Sequence, residues 1–247
     1  MGGPKYPAAC LTVESGSRVA LDARFTAVPN TAGDDSWQSA GWEGIKAVGT
    51  GSSSSPTLYI TNCTFAFSKG TTLLGAETEG QNSQVNISAY DCSFLNPFPG
   101  STAVRYSNGE KTVGTGYVTV RNCNFSGYDR GVLVERIGGD NVRTSIDSCI
   151  FSNIGVRPVE INGGTEASVV SNTFQNHFPG QSDFAVLLFQ DNDSVQQKVT
   201  LESLQVSGAT LTEVTLMWWG ASDDFGVTVC KIYQNGAPWH HIRLTLH

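Results

Sequence analysis

Five side chains in this sequence are of types that could do chemistry together: Arg105, Arg130, Glu135, Arg157 and Glu160. They stand in short β-branched runs, TAVRY at 102–106, VLVER at 132–136 and RPVEI at 157–161. Aligning these runs with LLGAE at 73–77 and VLLFQ at 186–190 gives one outward row of Glu77, Arg105, Glu135, Glu160 and Gln190. Ala76, Val104, Val134, Val159 and Phe189 are then the inward neighbours. In that alignment Glu135 and Glu160 lie on adjacent strands about 5 Å apart. Two carboxylates at that separation split their pKa values and can supply an acid and a base. Arg105, Arg130 and Arg157 would flank them, with Arg105 and Arg130 placed to hold an anionic substrate. The same row can also be a charge ladder that keeps an exposed sheet soluble.

Either use requires a scaffold that stacks strands in register, and a repeated word supplies it. TNCTF, YDCSF, RNCNF, DSCIF and VSNTF place Cys63, Cys92, Cys123, Cys149 and Asn172 at the middle position. Each word ends on a phenylalanine: Phe65, Phe94, Phe125, Phe151 and Phe174, spaced by 29, 31, 26 and 23 residues. A recurrence of this period is the mark of a solenoid. An alternating strand precedes each word, with Leu58 and Ile60, Ile87 and Ala89, Val118 and Val120, Thr144 and Ile146, and Ala167 and Val169 on one side. A polar turn residue follows it: Asn62, Asp91, Asn122, Ser148 or Ser171. The Cys and Phe then point back inside. These features predict an all-β chain, a right-handed parallel β-helix over residues 1–208 with a short C-terminal β extension at 209–247. Its handedness follows from the general rule for parallel crossovers. Four of the six cysteines share one repeat position, so they are expected as a reduced internal stack.

Composition agrees with many short strands joined by turns. There are 27 glycines in 247 residues, and charged residues make up only 15%. No run is long and apolar enough for a membrane span. The net charge of -7 argues against a nucleic-acid binder. Charge is uneven, however: residues 105–157 carry seven basic against five acidic side chains, a net of +2, and the rest carry eight against seventeen, a net of -9. The start, MGGPKYPAAC, shows neither a basic nor an apolar signal region.

Two stretches outside the repeat carry a resemblance. Leu11, Val13, Gly16 and Val19, then Trp42, Gly44 and Ile45, follow L-x-V-x-x-G-x-x-V and W-x-G-I. With the repeat, these make residues 10–208 resemble the pectin-lyase-like β-helix superfamily, and more closely its secreted bacterial members. That superfamily contains lyases, hydrolases, epimerases, phage tailspikes and non-catalytic surface proteins, so the resemblance implies a fold more than an activity. It implies an extracellular or cell-surface location and a polysaccharide partner. Pectate lyases of this kind carry an R-x-P-x-x-R stretch and a W-I-D-H stretch. Here Arg157-Pro158-Val159-Glu160 matches the first only in part, the second Arg is missing and W-I-D-H is absent. Arg157 as a proton-abstracting base is implied by that partial match alone.

Leu216, Trp218, Ala221, Ser222, Asp223, Asp224, Gly226, Val227, Ile232, Tyr233, Asn235 and Gly236 resemble the middle of a bacterial fibronectin type III module. A whole module needs about 100 residues in two sheets, so the segment reads as a truncated one. It would cap the last coil within one chain or be exchanged in a dimer, burying Leu216, Trp218 or Trp219, Val227, Val229 and Ile232.

The other candidates are thinner. Asp191-Asn192-Asp193 offers oxygen ligands for Ca²⁺, but it is a fragment of such a loop and a solvated turn explains it better. His240, His241 and His247 could meet a transition metal but stand at a chain end. No metal site or other cofactor is expected. N-x-S/T at Asn62, Asn86, Asn124 and Asn192 falls mostly within the repeat, where turn chemistry accounts for it. Two functions follow. The first is a non-catalytic extracellular or cell-surface β-helix module of a larger protein, with carbohydrate as its candidate ligand. The second is a lyase or glycoside hydrolase acting on an acidic glycan through the Arg/Glu face. Salt-bridged carboxylates on a flat face would favour the first; a groove with convergent acids would favour the second.

Overall fold

A computed structural model describes the backbone of residues 11–13, 18–21, 24–26, 44–49, 56–66, 68, 70–77, 84–107, 115–135, 141–176, 186–189, 198–207, 214–218, 232–234, 237–238 and 242–246. Side chains are described only within 44–205, at most of those positions. All regular structure among the described residues is β-strand, and no helix long and apolar enough to cross a membrane is found there.

Three parallel sheets wind around one core. Sheet A takes Leu11–Val13, Ile45–Gly49, Thr71–Glu77, Thr102–Ser107, Arg130–Glu135, Arg157–Asn162 and Val186–Phe189. Sheet B takes Arg18–Leu21, Thr57–Thr61, Gln84–Tyr90, Thr115–Arg121, Asn141–Asp147, Glu166–Val170 and Lys198–Glu202. Sheet C takes Arg24–Thr26, Thr64–Ala66, Ser93–Leu95, Asn124–Ser126, Ile150–Ser152, Thr173–Gln175 and Leu204–Ser207. Along the chain the order A, B, C repeats, so each coil gives one strand to every sheet. Each strand then bonds the equivalent strand of the next coil, which satisfies the backbone between repeats. This is the parallel β-solenoid that the repeated word predicts.

The word forms the corner between sheets B and C. Its polar residue takes the left-handed backbone conformation in all five copies: φ is 52° at Asn62, 54° at Asp91, 53° at Asn122, 55° at Ser148 and 56° at Ser171. Short polar side chains tolerate that region better than branched ones, which explains the restricted choice there. A second left-handed corner comes two residues after the phenylalanine, at Asn96, Gly127, Asn153 and Asn176. Its signal, Phe-x-Asn/Gly, is in the sequence but is overshadowed by the stronger word. A further copy of the word, Glu202 to Val206, is disguised because Leu204 and Val206 replace Cys and Phe. Ser203 holds its corner at φ 54°, and Val206 pairs with Phe174.

The core is built of columns one residue wide. Phe65, Phe94, Phe125, Phe151 and Phe174 stack with ring centroids 5.1, 4.8, 4.7 and 5.3 Å apart. Burying each ring contributes roughly 1.5–3 kcal/mol relative to exposure. The sheet B alternation is as expected: Leu58, Ile87, Val118, Thr144 and Ala167 form one buried column, and Ile60, Ala89, Val120, Ile146 and Val169 the next. Cys63, Cys92, Cys123 and Cys149 are buried and in no disulfide. A hydroxyl cluster interrupts the apolar interior: Tyr128 Oη lies 2.8 Å from Ser68 Oγ and 3.1 Å from Thr72 Oγ1, and Thr72 donates to Ser68 at 2.7 Å. Burial raises the Tyr128 phenol above its ordinary value of 10.0, against the two hydroxyls, so the group stays neutral.

Beyond the last coil, Ile232–Gln234 adds to sheet C in parallel, with Ile232 opposite Leu204. Ala237–Pro238 then pairs antiparallel with it. Val214–Trp218 and Ile242–Leu246 pair parallel to each other, whereas fibronectin type III sheets are antiparallel. The expected burial of Leu216, Trp218, Trp219, Val227, Val229 and Ile232 lies outside the described side chains.

Candidate functional site

Sheet A carries the Arg/Glu face, but its register differs from the expected row. Arg105 lies opposite Leu74 on one side and Leu133 on the other. Leu133 in turn lies opposite Glu160. Glu135 lies opposite Ser107, two positions further along. The inward neighbours shift likewise: Val104 aligns with Val132 and Val159, and Tyr106 with Val134 and Ile161. Ala76 aligns with Ser107 and Glu77 with Gly49, so Glu77 is not in the Arg105 position. Gln190 lies outside the described residues. Glu135 and Glu160 are therefore diagonal and not directly opposed, which puts their Cβ atoms roughly 7–8 Å apart and not about 5 Å.

The physical reason is the period of the strand. Glu135 stands two residues beyond Leu133, and a slip of two keeps every side chain on its own face, so hydrophobic alternation cannot reveal it. Glu77 stands three residues beyond Leu74, the residue opposite Arg105, and so falls at an odd offset from that row, two residues beyond the paired Ala47 and Gly75. Arg105, Arg130, Glu135, Arg157 and Glu160 do all share the outer face. Arg130 and Arg157 are direct neighbours in register with Thr102. Sequence alignment by shared charge missed Leu133, which occupies the row between Arg105 and Glu160 and is nearly buried.

Each carboxylate is held by arginine. Arg105 Nε donates to Glu135 Oε2 at 2.7 Å. Arg130 Nε donates to Glu160 Oε2 at 3.3 Å, and Arg157 Nη1 meets Glu160 Oε1 at 2.9 Å. Both oxygens of Glu160 are thus occupied, and its side chain is 11% exposed against 32% for Glu135. Arg157, expected as a base, is a counter-ion of Glu160. What the arrangement can do chemically is fix charges in place. Glu135 and Glu160 stand diagonally, each on its own arginine, and not as a directly opposed pair.

Sheet B has an outer face that sequence alignment did not single out. Its middle column runs Tyr59, Ser88, Thr119, Ser145, Ser168 and Thr200. Tyr59 and Tyr90 pair with ring centroids 5.4 Å apart at 42°. Tyr117 is 43% exposed and lies between Asn86 and Arg143. Arg121 pairs with Asp147 at 3.2 Å, and Arg143 approaches Glu166 at 3.9 Å. The period-two signal that located these strands also marks their outward residues, but scattered tyrosines and serines do not form a motif in sequence.

No group of three His, Cys, Asp or Glu side chains that could hold a metal ion occurs among the described residues. Asp191, Asn192 and Asp193, and His240, His241 and His247, lie outside those residues. Comparison of the chain with family models, with curated proteins and with solved structures finds no match in any of the three.

Proposed function

We propose that this chain is a non-catalytic β-solenoid module of a larger extracellular or cell-surface protein, and that it serves to present a carbohydrate-binding face. The observation that carries this reading is the pairing of both candidate carboxylates with arginine. A general acid or nucleophile must reach its substrate, whereas Glu160 has an arginine on each oxygen and Glu135 has Arg105. A ladder of paired charges on an open sheet suits binding and solubility better than bond cleavage. The resemblance of residues 10–208 to secreted β-helix proteins supports the extracellular setting.

The test joins a glycan array with an ultraviolet assay for unsaturated uronate products and a reducing-end assay, applied to neutral and acidic polysaccharides. The expected result is binding without product. Product formation that disappears in Glu135→Gln, with the melting temperature little changed, would make the Arg/Glu face catalytic and overturn the proposal.

A further inference from the structure

We infer that the outer face of sheet B is the binding surface and that its ligand is an uncharged, extended polysaccharide of pyranose units. The inference rests on the carbohydrate-binding reading and adds the face and the ligand class. Three observations converge there. The first is aromatic: Tyr59 and Tyr90 form a ring pair, and Tyr117 is one of two large hydrophobic side chains exposed among the described residues. The faces of aromatic rings carry negative charge density. The C–H bonds on the flat faces of a pyranose carry the opposite partial charge, so sugar rings pack on tyrosine with little loss of side-chain freedom.

The second is the hydroxyl column. Ser88, Thr119, Ser145 and Ser168 lie directly opposite one another on successive strands. Adjacent strands repeat at about 4.8 Å, and each hydroxyl can both donate and accept. A regular row of that kind matches a ligand with a short, regular repeat of hydroxyls and not a compact molecule. Asn86, opposite Tyr117, adds an amide whose Oδ1 is buried and has no hydrogen-bond partner.

The third is charge. Arg121 is matched by Asp147 and Arg143 by Glu166 within the face. The outermost residues Lys198 and Glu202 add one charge of each sign. An uncharged ligand displaces none of these pairs. Sheet A differs: among its described side chains, Lys46, Arg105, Arg130 and Arg157 outnumber Glu135 and Glu160, four to two. An acidic glycan would choose sheet A.

Calorimetric titration of the intact chain decides between the faces, with cello-, xylo- and manno-oligosaccharides and oligogalacturonate as probes at low and high salt. Binding to a neutral oligosaccharide, insensitive to salt, is expected. Tyr117→Ala, and Tyr59→Ala with Tyr90→Ala, should each weaken it about tenfold or more, as loss of an aromatic anchor does. Tyr117→Phe keeps the ring and should retain most of the affinity. Melting temperatures of all variants guard against misfolding. Binding of oligogalacturonate alone, lost at high salt and in Arg105→Ala or Arg130→Ala, would overturn this inference and leave the carbohydrate reading standing. Neutral binding that persists in all the tyrosine variants would also overturn it. Binding to none of the probes would overturn both.

Discussion

Each thiol of the cysteine column donates to the carbonyl two residues before it, from Cys63 to Thr61 at 3.3 Å through to Cys149 to Asp147 at 3.3 Å. Three of them also face a carbonyl of the previous coil, as Cys123 does Ala89 at 3.5 Å. Asn172 makes that second contact as a full hydrogen bond, donating to Ile146 at 2.9 Å and accepting from the Cys149 amide at 2.8 Å. The column is thus a row of weak donors in a polar corner, and an amide fits it. The thiol of Cys149 beside it, and burial, push Cys123 up to about 12, and the Cys123 thiol with burial raises Cys92 as well. The unfolded chain loses these protons above the ordinary 9.0, whereas folded Cys123 keeps its proton until about 12. The column's contribution is therefore complete below pH 9 and declines as pH rises from 9 toward 12. Urea midpoints should be flat near neutrality and fall across that alkaline window. A Cys123→Ala variant with an unchanged alkaline slope would show that another group is responsible. Alkylation of the unfolded, unreduced chain should label Cys63, Cys92, Cys123 and Cys149; two disulfides among them would contradict the column. Residue identity was legible here because one position recurs with one chemistry. The ion pairs were not legible, since Arg130 and Glu160 are 30 residues apart and only register joins them. Their geometry makes Glu160→Gln the costly change. It leaves Arg130 and Arg157 adjacent without their carboxylate and should cost about 1–3 kcal/mol. Glu135→Gln removes a more exposed pair and should cost under about 1 kcal/mol. Chemical denaturation of the two variants checks the order.

Sheet A strands break their alternation at one level, and this is where sequence alignment lost its footing. Ala103 and Val104 are both buried, as are Gly131 and Val132, and Pro158 and Val159. The ladder passes from Thr102–Arg130 to Val104–Val132 with no partner pair between. Just before, the Ser101 carbonyl accepts from both Asp129 and Arg130, and the Asp129 carbonyl from both Val156 and Arg157. Two donors on one acceptor is a bulge-like bend, and it turns the arginines outward at the coil's corner. Pro158 fits because a residue there donates nothing to the ladder. Sheet B has no such break, so its alternation could be read directly, and so could the corner word. Sheet A could be located but not registered. Gly131 tests the bend. A Cβ there would meet Phe151 Cε1 at 2.6 Å and the Pro158 carbonyl at 2.5 Å, the first a packed ring and the second backbone. Neither can yield cheaply, so Gly131→Ala should destabilise by about 1–3 kcal/mol, as overpacked cores do. A urea midpoint equal to that of the parent chain would mean that the coil adjusts freely at this corner.

A solenoid has two ends, and each leaves sheet edges and the last core layer uncovered unless something adds to them. At the C-terminal end the sheet C edge is Leu204–Ser207, and Ile232–Gln234 pairs with it in parallel, in the same sense as every strand before it. The segment thus prolongs the solenoid on one sheet, although its sequence breaks the repeated word. From sequence, this end is expected to need covering and residues 209–247 are expected as a β extension. The sequence could not show the partner, because the resemblance pointed to an antiparallel module, while Ile232–Gln234 joins Leu204–Ser207 in parallel, Val214–Trp218 pairs with Ile242–Leu246 in parallel, and only Ala237–Pro238 among the described strands pairs antiparallel. Leu204 is nearly buried and Phe174, one coil earlier, fully so. Removing residues 209–247 would leave the Leu204–Ser207 edge with open backbone donors and acceptors. Exposed edges of that kind recruit other chains. The deletion should therefore convert a species of defined size into a concentration-dependent series of oligomers, read by light scattering after size exclusion. A single substitution within the strand, Tyr233→Pro, should move the chain the same way while keeping its length, because proline cannot donate to a ladder. If both variants keep the parent's size and melt with it, the segment adds nothing to the stability of the stack, and the last coil is closed by its own residues.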